Sequence, residues 1–86
     1  MRSLTSASFW KLYAKLPADV RSQARKAYQL WFKEPYHPSL QFKNLQGGGG
    51  FCSVRINQQY RAVGMRQGDA VRWVWIGTHN DFDKQF

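Results

Sequence analysis

Two arginines six residues apart, Arg55 and Arg61, together with His79 are the residues whose types and spacing suggest chemistry. Between the arginines lies Asn57-Gln58-Gln59, a turn sequence flanked by strand-like runs, so the pair belongs to the two arms of a hairpin. With the turn centred on Gln58, the arginines stand directly opposite each other on one face. Like charges so placed destabilise a sheet unless something anionic bridges them. The guanidinium fork suits phosphate oxygens, so the functional reading is a phosphate clamp. A register slipped by one residue would instead send one arginine to solvent, and both readings stand at this point. His79 follows the last strand-like run, where a side chain can overhang the same face. Histidine titrates near neutrality and suits proton transfer, although a terminal histidine also serves as a cap or surface group.

Other chemistries find little support. His37 and His79 are the only histidines, and neither has a second ligand at a metal-binding spacing. Asp81 and Asp83 alternate near the end without the further carboxylates of a magnesium site. Cys52 is the sole cysteine, which excludes an internal disulfide, and a strand cysteine among apolar neighbours is expected to be inert core. The four glycines from Gly47 to Gly50 lack the Gly-Lys-Ser/Thr continuation of a phosphate-cradling loop and read as a slack connector. No metal and no small-molecule cofactor is expected.

The elements that must hold these residues follow from periodicity. Phe9, Leu12, Tyr13 and Leu16 fall at i, i+3, i+4 and i+7, predicting a helix over Ser8–Leu16. Pro17 ends it and opens a second helix running to about Lys33, with Val20, Ala24, Ala27 and Trp31 on its inner stripe. Pro35 and Pro38 stop that helix. Strands are predicted at Leu40–Lys43, Cys52–Ile56, Tyr60–Arg66 and Val71–Ile76, the last three joined by tight turns. In the last strand, Val71, Trp73 and Trp75 are expected on one face, and Arg72, Val74 and Ile76 on the other. Thr78 can cap a final turn of helix. The fold class is α+β: an N-terminal helical hairpin packed on a small, mostly antiparallel four-stranded sheet, residues 1–86 forming a single domain.

Composition fits that reading. Of 86 residues, 43% are hydrophobic and 16% aromatic, too apolar for a disordered chain. No apolar run is long enough for a membrane span, and the N-terminal residues lack a secretory h-region, so a cytoplasmic, reducing location is expected. Thirteen Lys and Arg against five Asp and Glu give a net charge of +8. A small domain so basic calls for an acidic partner, with nucleic acid the foremost class.

The order of elements resembles the RelE/ParE toxin superfamily of bacterial toxin–antitoxin systems. The strings His37-Pro38-Ser39-Leu40, Phe42-Lys43-Asn44-Leu45, Ser53-Val54-Arg55-Ile56, Tyr60-Arg61-Ala62-Val63 and Trp73-Val74-Trp75-Ile76-Gly77-Thr78-His79 carry the resemblance, in order, over almost the whole chain. The RelE-like branch is the most similar, and it implies an endoribonuclease acting on messenger RNA, often on the ribosome, without a metal. By similarity Arg61 is the arginine that contacts the scissile phosphate, Arg55 a supporting one, and His79 the acid/base group. Lys43 falls where some relatives place a catalytic residue. Arg21, Arg25, Arg66, Arg72 and Lys84 are expected to bind RNA. The resemblance also implies a cognate acidic antitoxin as partner. Two departures are visible: Phe82 stands where relatives often carry a tyrosine, and no glutamate lies between Pro35 and Gly47. They keep open an inactive member that binds only RNA or antitoxin. A ParE-like toxin that inhibits DNA gyrase by binding is a separate alternative, against which His79 beside the paired arginines argues.

Overall fold

The structure is a computed structural model that describes residues 1–47 and 49–86; the central part of the glycine run, at position 48, lies outside the described residues. A five-stranded sheet carries two helices on one face and a short C-terminal helix on the other. In chain order the elements are β1 (Arg2–Thr5), α1 (Ala7–Ala14), α2 (Ala18–Lys33), a 3-10 turn (Pro38–Leu40), β2 (Lys43–Asn44), β3 (Phe51–Arg55), β4 (Tyr60–Gln67), β5 (Ala70–Thr78) and α3 (His79–Gln85). Spatial order is β1-β5-β4-β3-β2. All neighbours are antiparallel except β1, which runs parallel to β5.

The sheet therefore has one strand more than the four expected. Met1 to Thr5 contains a single apolar residue beyond the methionine, too little to display alternation. What fixes β1 is tertiary: Trp73 Nε1 donates to Ser3 Oγ at 3.2 Å, and Trp10 Nε1 to Thr5 Oγ1 at 2.9 Å. The predicted strand Leu40–Lys43 is corrected too. Leu40 instead ends the 3-10 turn, buried in the core, and only Lys43 and Asn44 pair with β3.

Helix boundaries follow local chemistry. Ser6 caps α1 by accepting from the Phe9 N–H at 3.2 Å, and Pro17 stands at the N-cap of α2. Leu16, Val20, Ala24 and Trp31 pack against Val54, Ala62, Val71, Trp73 and Ile76, while Phe9, Leu12 and Ala27 join at the margin. Trp31 meets Trp73 edge to face at 5.2 Å. Between α1, α2 and β1 a groove of about 700 Å³ reaches down to the core residues Trp31, Val54 and Trp73 and is lined also by Leu4, Trp10, Tyr13, Arg25 and Tyr28.

Facing along β5 differs from simple alternation. Val63 pairs with Trp75 and Gly64 with Trp73, so Val74 is an extra residue, a β-bulge. The bulge reverses the alternation beyond it: Trp73 and Ile76 face the helices, whereas Trp75 turns to the opposite face and packs on Phe82 and Phe86. Gly64 sits at the bulge because a Cβ there would meet Val71 at 2.5 Å.

Candidate active site

The Asn57 turn sets the register of the arginine pair. Asn57 Oδ1 accepts from the N–H groups of Gln59 and Tyr60 at 2.7 and 2.9 Å, an Asx-type turn that closes the β3–β4 hairpin. Arg55 then stands directly opposite Arg61, and the slipped register does not occur. Beyond the backbone the two part company. Arg55 lines a shallow depression with Gln23, Lys26 and Ser39, while the Arg61 guanidinium runs to Gln41 and Phe82.

Arg61 is not a solvated strand residue: it is only 9% exposed. Its Nη2 donates to Gln41 Oε1 at 3.1 Å, and its Cζ lies 5.5 Å from the centre of the Phe82 ring. Nε and Nη1 have no protein partner. A buried cation with idle donors is costly unless a ligand uses them. Gly77 pairs with Arg61 from β5, and a Cβ there would meet the Trp75 ring at 2.7 Å, so only glycine admits the indole beside the arginine. Ser53, on the same strand face as Arg55, is fully buried with an unpartnered Oγ. Lys43 pairs with Ser53 and is exposed on that face.

His79 opens α3, whose N-cap Thr78 accepts from the Asp81 N–H at 3.1 Å. Its backbone N–H donates to Gln59 O at 2.7 Å, tying α3 to the hairpin turn. The imidazole Nδ1 lies 3.3 Å from Asp83 Oδ2, with the histidine side chain 45% exposed. Phe82 connects the two groups: its ring is 6.0 Å from that of His79 and lies over Arg61.

The expected RNA-binding residues do not gather. Arg21 donates to Leu16 O at 2.7 Å and Arg25 to the Tyr13 hydroxyl at 2.8 Å, both on the helical side. Arg66 also faces that side, donating to the Tyr36 hydroxyl and lying over Phe42. Arg72 is exposed on the opposite face, and Lys84 is exposed on α3. Gln41 escaped the sequence reading, since its residue type does not signal a contact with an arginine. Cys52 is fully buried, and burial pushes its thiol pKa up, against smaller opposing effects of Arg66 and Gly64. Among the described residues, no three His, Cys, Asp or Glu side chains cluster as metal ligands.

A family model described as the ParE-like toxin domain matches residues 18–84. The chain belongs to that family. Toxins of known structure share the fold at low identity. A chain of the RelB–RelE antitoxin–toxin complex from Methanococcus jannaschii superposes with a TM-score of 0.76 at 15% identity, covering 96% of this chain and 98% of that one. YafQ from E. coli gives 0.73 at 16% identity, covering 95% and 98%. A YoeB/ParE toxin from Agrobacterium tumefaciens gives 0.70 at 19%, covering 92% and 99%. No curated protein matches the sequence significantly. This ParE-like toxin domain thus carries the α+β fold of the RelE, YoeB and YafQ toxins, with Arg61, His79 and Lys43 borne on its sheet and α3.

Proposed function

We propose that the chain is the toxin of a toxin–antitoxin pair and an endoribonuclease, with messenger RNA on the ribosome as substrate. The observation that supports this best is the buried Arg61 with its idle Nε and Nη1 donors. Those donors have no exposed surface in this structure, so a phosphodiester would have to displace part of their cover. Once in place, its non-bridging oxygens, where charge builds as phosphorus becomes pentacoordinate, suit them. In the proposed reaction the 2′-oxygen loses its proton and bonds to phosphorus. The bond to the 5′-oxygen breaks, and that oxygen takes up a proton. The products are a 2′,3′-cyclic phosphate and a 5′-hydroxyl. His79 carries one of the two protons and solvent the other, and Asp83 orients the His79 ring. Lys43 adds positive charge, with Arg55, lining the depression beside α2, adding only longer-range charge.

An acidic antitoxin is the proposed partner. The +8 charge of the chain supports it, as does the apolar groove beside β1 with Arg25 at its wall. A second reading, gyrase inhibition by binding alone, is favoured by the ParE-like description of the matched domain. Ribosome-programmed mRNA cleavage, with chemical analysis of the new ends, tests the nuclease. Growth arrest with DNA-damage signalling and intact transcripts would replace it with the gyrase reading.

A further inference from the structure

Gln41 is the one described residue other than glycine with a positive φ, 48°. Glutamine has no local reason to adopt this left-handed conformation, which favours glycine and asparagine. Its neighbours pin it there. Leu40 is buried in the core, Phe42 packs edge to face on Trp31 at 5.8 Å, and the Gln41 N–H donates to Pro38 O at 3.3 Å as it leaves the 3-10 turn. The same conformation delivers Oε1 to Arg61 Nη2 at 3.1 Å, the only hydrogen bond that guanidinium donates among the described residues.

We infer that Gln41 is the positioning residue of Arg61, an uncharged acceptor held in a strained backbone conformation so that the guanidinium is oriented without being neutralised. The inference rests on the reading of Arg61 as the phosphate-binding arginine. A guanidinium held at one nitrogen no longer rotates freely, and its remaining donors point in fixed directions. A carboxylate would hold it more tightly but would compete with phosphate for the same charge. An amide oxygen orients the group and leaves its full charge for an anion. Strained residues persist where the surroundings over-determine them, and such strain concentrates at functional sites.

Three variants test this. Gln41→Gly accepts the φ without strain and removes the acceptor. Gln41→Asn also tolerates the φ but is one methylene too short to reach. Gln41→Glu keeps the reach and adds a charge. The expected result is that Gln41→Gly and Gln41→Asn melt at or above the wild-type temperature yet cleave about tenfold more slowly, through kcat rather than KM. In side-chain nitrogen NMR, the Arg61 Nη resonances should be resolved in wild type and averaged by rotation in both variants. Gln41→Glu should keep them resolved while binding inorganic pyrophosphate about tenfold more weakly at neutral pH. Arg61 resonances unchanged in Gln41→Gly would overturn the inference, as would stability and kcat falling together in it. So would unaltered pyrophosphate binding by Gln41→Glu. The NMR arm contains no RNA, so wild type failing to cleave RNA would sink the nuclease reading while the Arg61 resonances still decide the role of Gln41.

Discussion

The Phe82 ring lies over the Arg61 guanidinium, 5.5 Å from Cζ to the ring centre, and thereby roofs the most deeply buried cation of the chain. A ring in that position excludes water from the charge and attracts it through the ring quadrupole, by about 0.5–2 kcal/mol. Electrostatic stabilisation of a phosphate strengthens as water leaves. We predict that Phe82→Ala slows RNA cleavage by roughly two- to thirtyfold, the rate equivalent of that contact. The check is single-turnover cleavage with the folded variant. A faster variant would mean that Phe82 blocks Arg61 rather than serving it.

For Arg61 itself, stability and activity should move in opposite directions. Arg61→Ala removes a buried cation with two idle donors, so the melting temperature should hold or rise. Cleavage should fall about 10²–10³-fold, the usual loss for one transition-state donor. Arg61→Lys should recover only part, because an ammonium keeps the charge and not the planar fork. His79→Ala should lose about 10²–10⁴-fold with RNA binding little changed. Asp83→Asn should cost far less, since its contact with His79 is exposed and such pairs are worth about 0–1 kcal/mol. Equal cleavage by wild type and all these variants would remove the site from the account.

How much of this was legible in the sequence divides along physical lines. The break between the helices at Pro17 and the hairpin between Arg55 and Arg61 were readable because proline sterics and turn chemistry are local. The Ser6 cap was not read, and the arginine register stayed open between two alternatives. The face of Trp75 was not. It depends on the Val74 bulge, which forms where Gly64 lets β4 and β5 approach. β1 was missed because its partner, β5, lies at the other end of the chain. The Arg61 environment was half legible: residue types pointed to the arginine, but Gln41 and Phe82 reach it only through tertiary geometry.

The core prediction concerns Trp31, which is 1% exposed yet leaves its Nε1 without a partner. Trp31→Ala should cost roughly 3–5 kcal/mol, a large part of the stability of so small a domain. Trp31→Phe should cost less than half of that, because it removes the unsatisfied donor along with some area. Denaturant melts of the three proteins decide it. Equal losses for alanine and phenylalanine would show that the indole nitrogen does find a partner.

Cys52 adds a pH dependence. Its thiol pKa is raised in the folded state, chiefly by burial, so the folded chain holds that proton more tightly than the unfolded chain. The resulting stability is complete below the unfolded pKa, about 8.5, and is lost as pH rises from there through the folded value. Cys52→Ala should therefore flatten the alkaline limb of stability against pH. Native protein should also resist thiol reagents at pH 8 and react on unfolding. Rapid modification of the native state would show that the strand opens locally.

The last prediction concerns the partner. A chain with +8 charge and an apolar groove should bind an acidic antitoxin in two separable ways. Long-range attraction governs encounter and is screened over a Debye length of about 8–10 Å, so the on-rate should fall several-fold between low and physiological salt. Burial of exposed aromatics governs residence. Trp10 is 51% exposed at the groove, and as a buried anchor its loss should cost at least about 2 kcal/mol of binding. Trp10→Ala should accordingly raise the off-rate about thirtyfold with little change in on-rate, its melting temperature falling modestly as the bond to Thr5 is lost. The measurement is surface-captured binding kinetics with a candidate acidic antitoxin, at two salt concentrations. An on-rate indifferent to salt would remove the charge from the account of encounter, and an unchanged off-rate would move the antitoxin away from the groove.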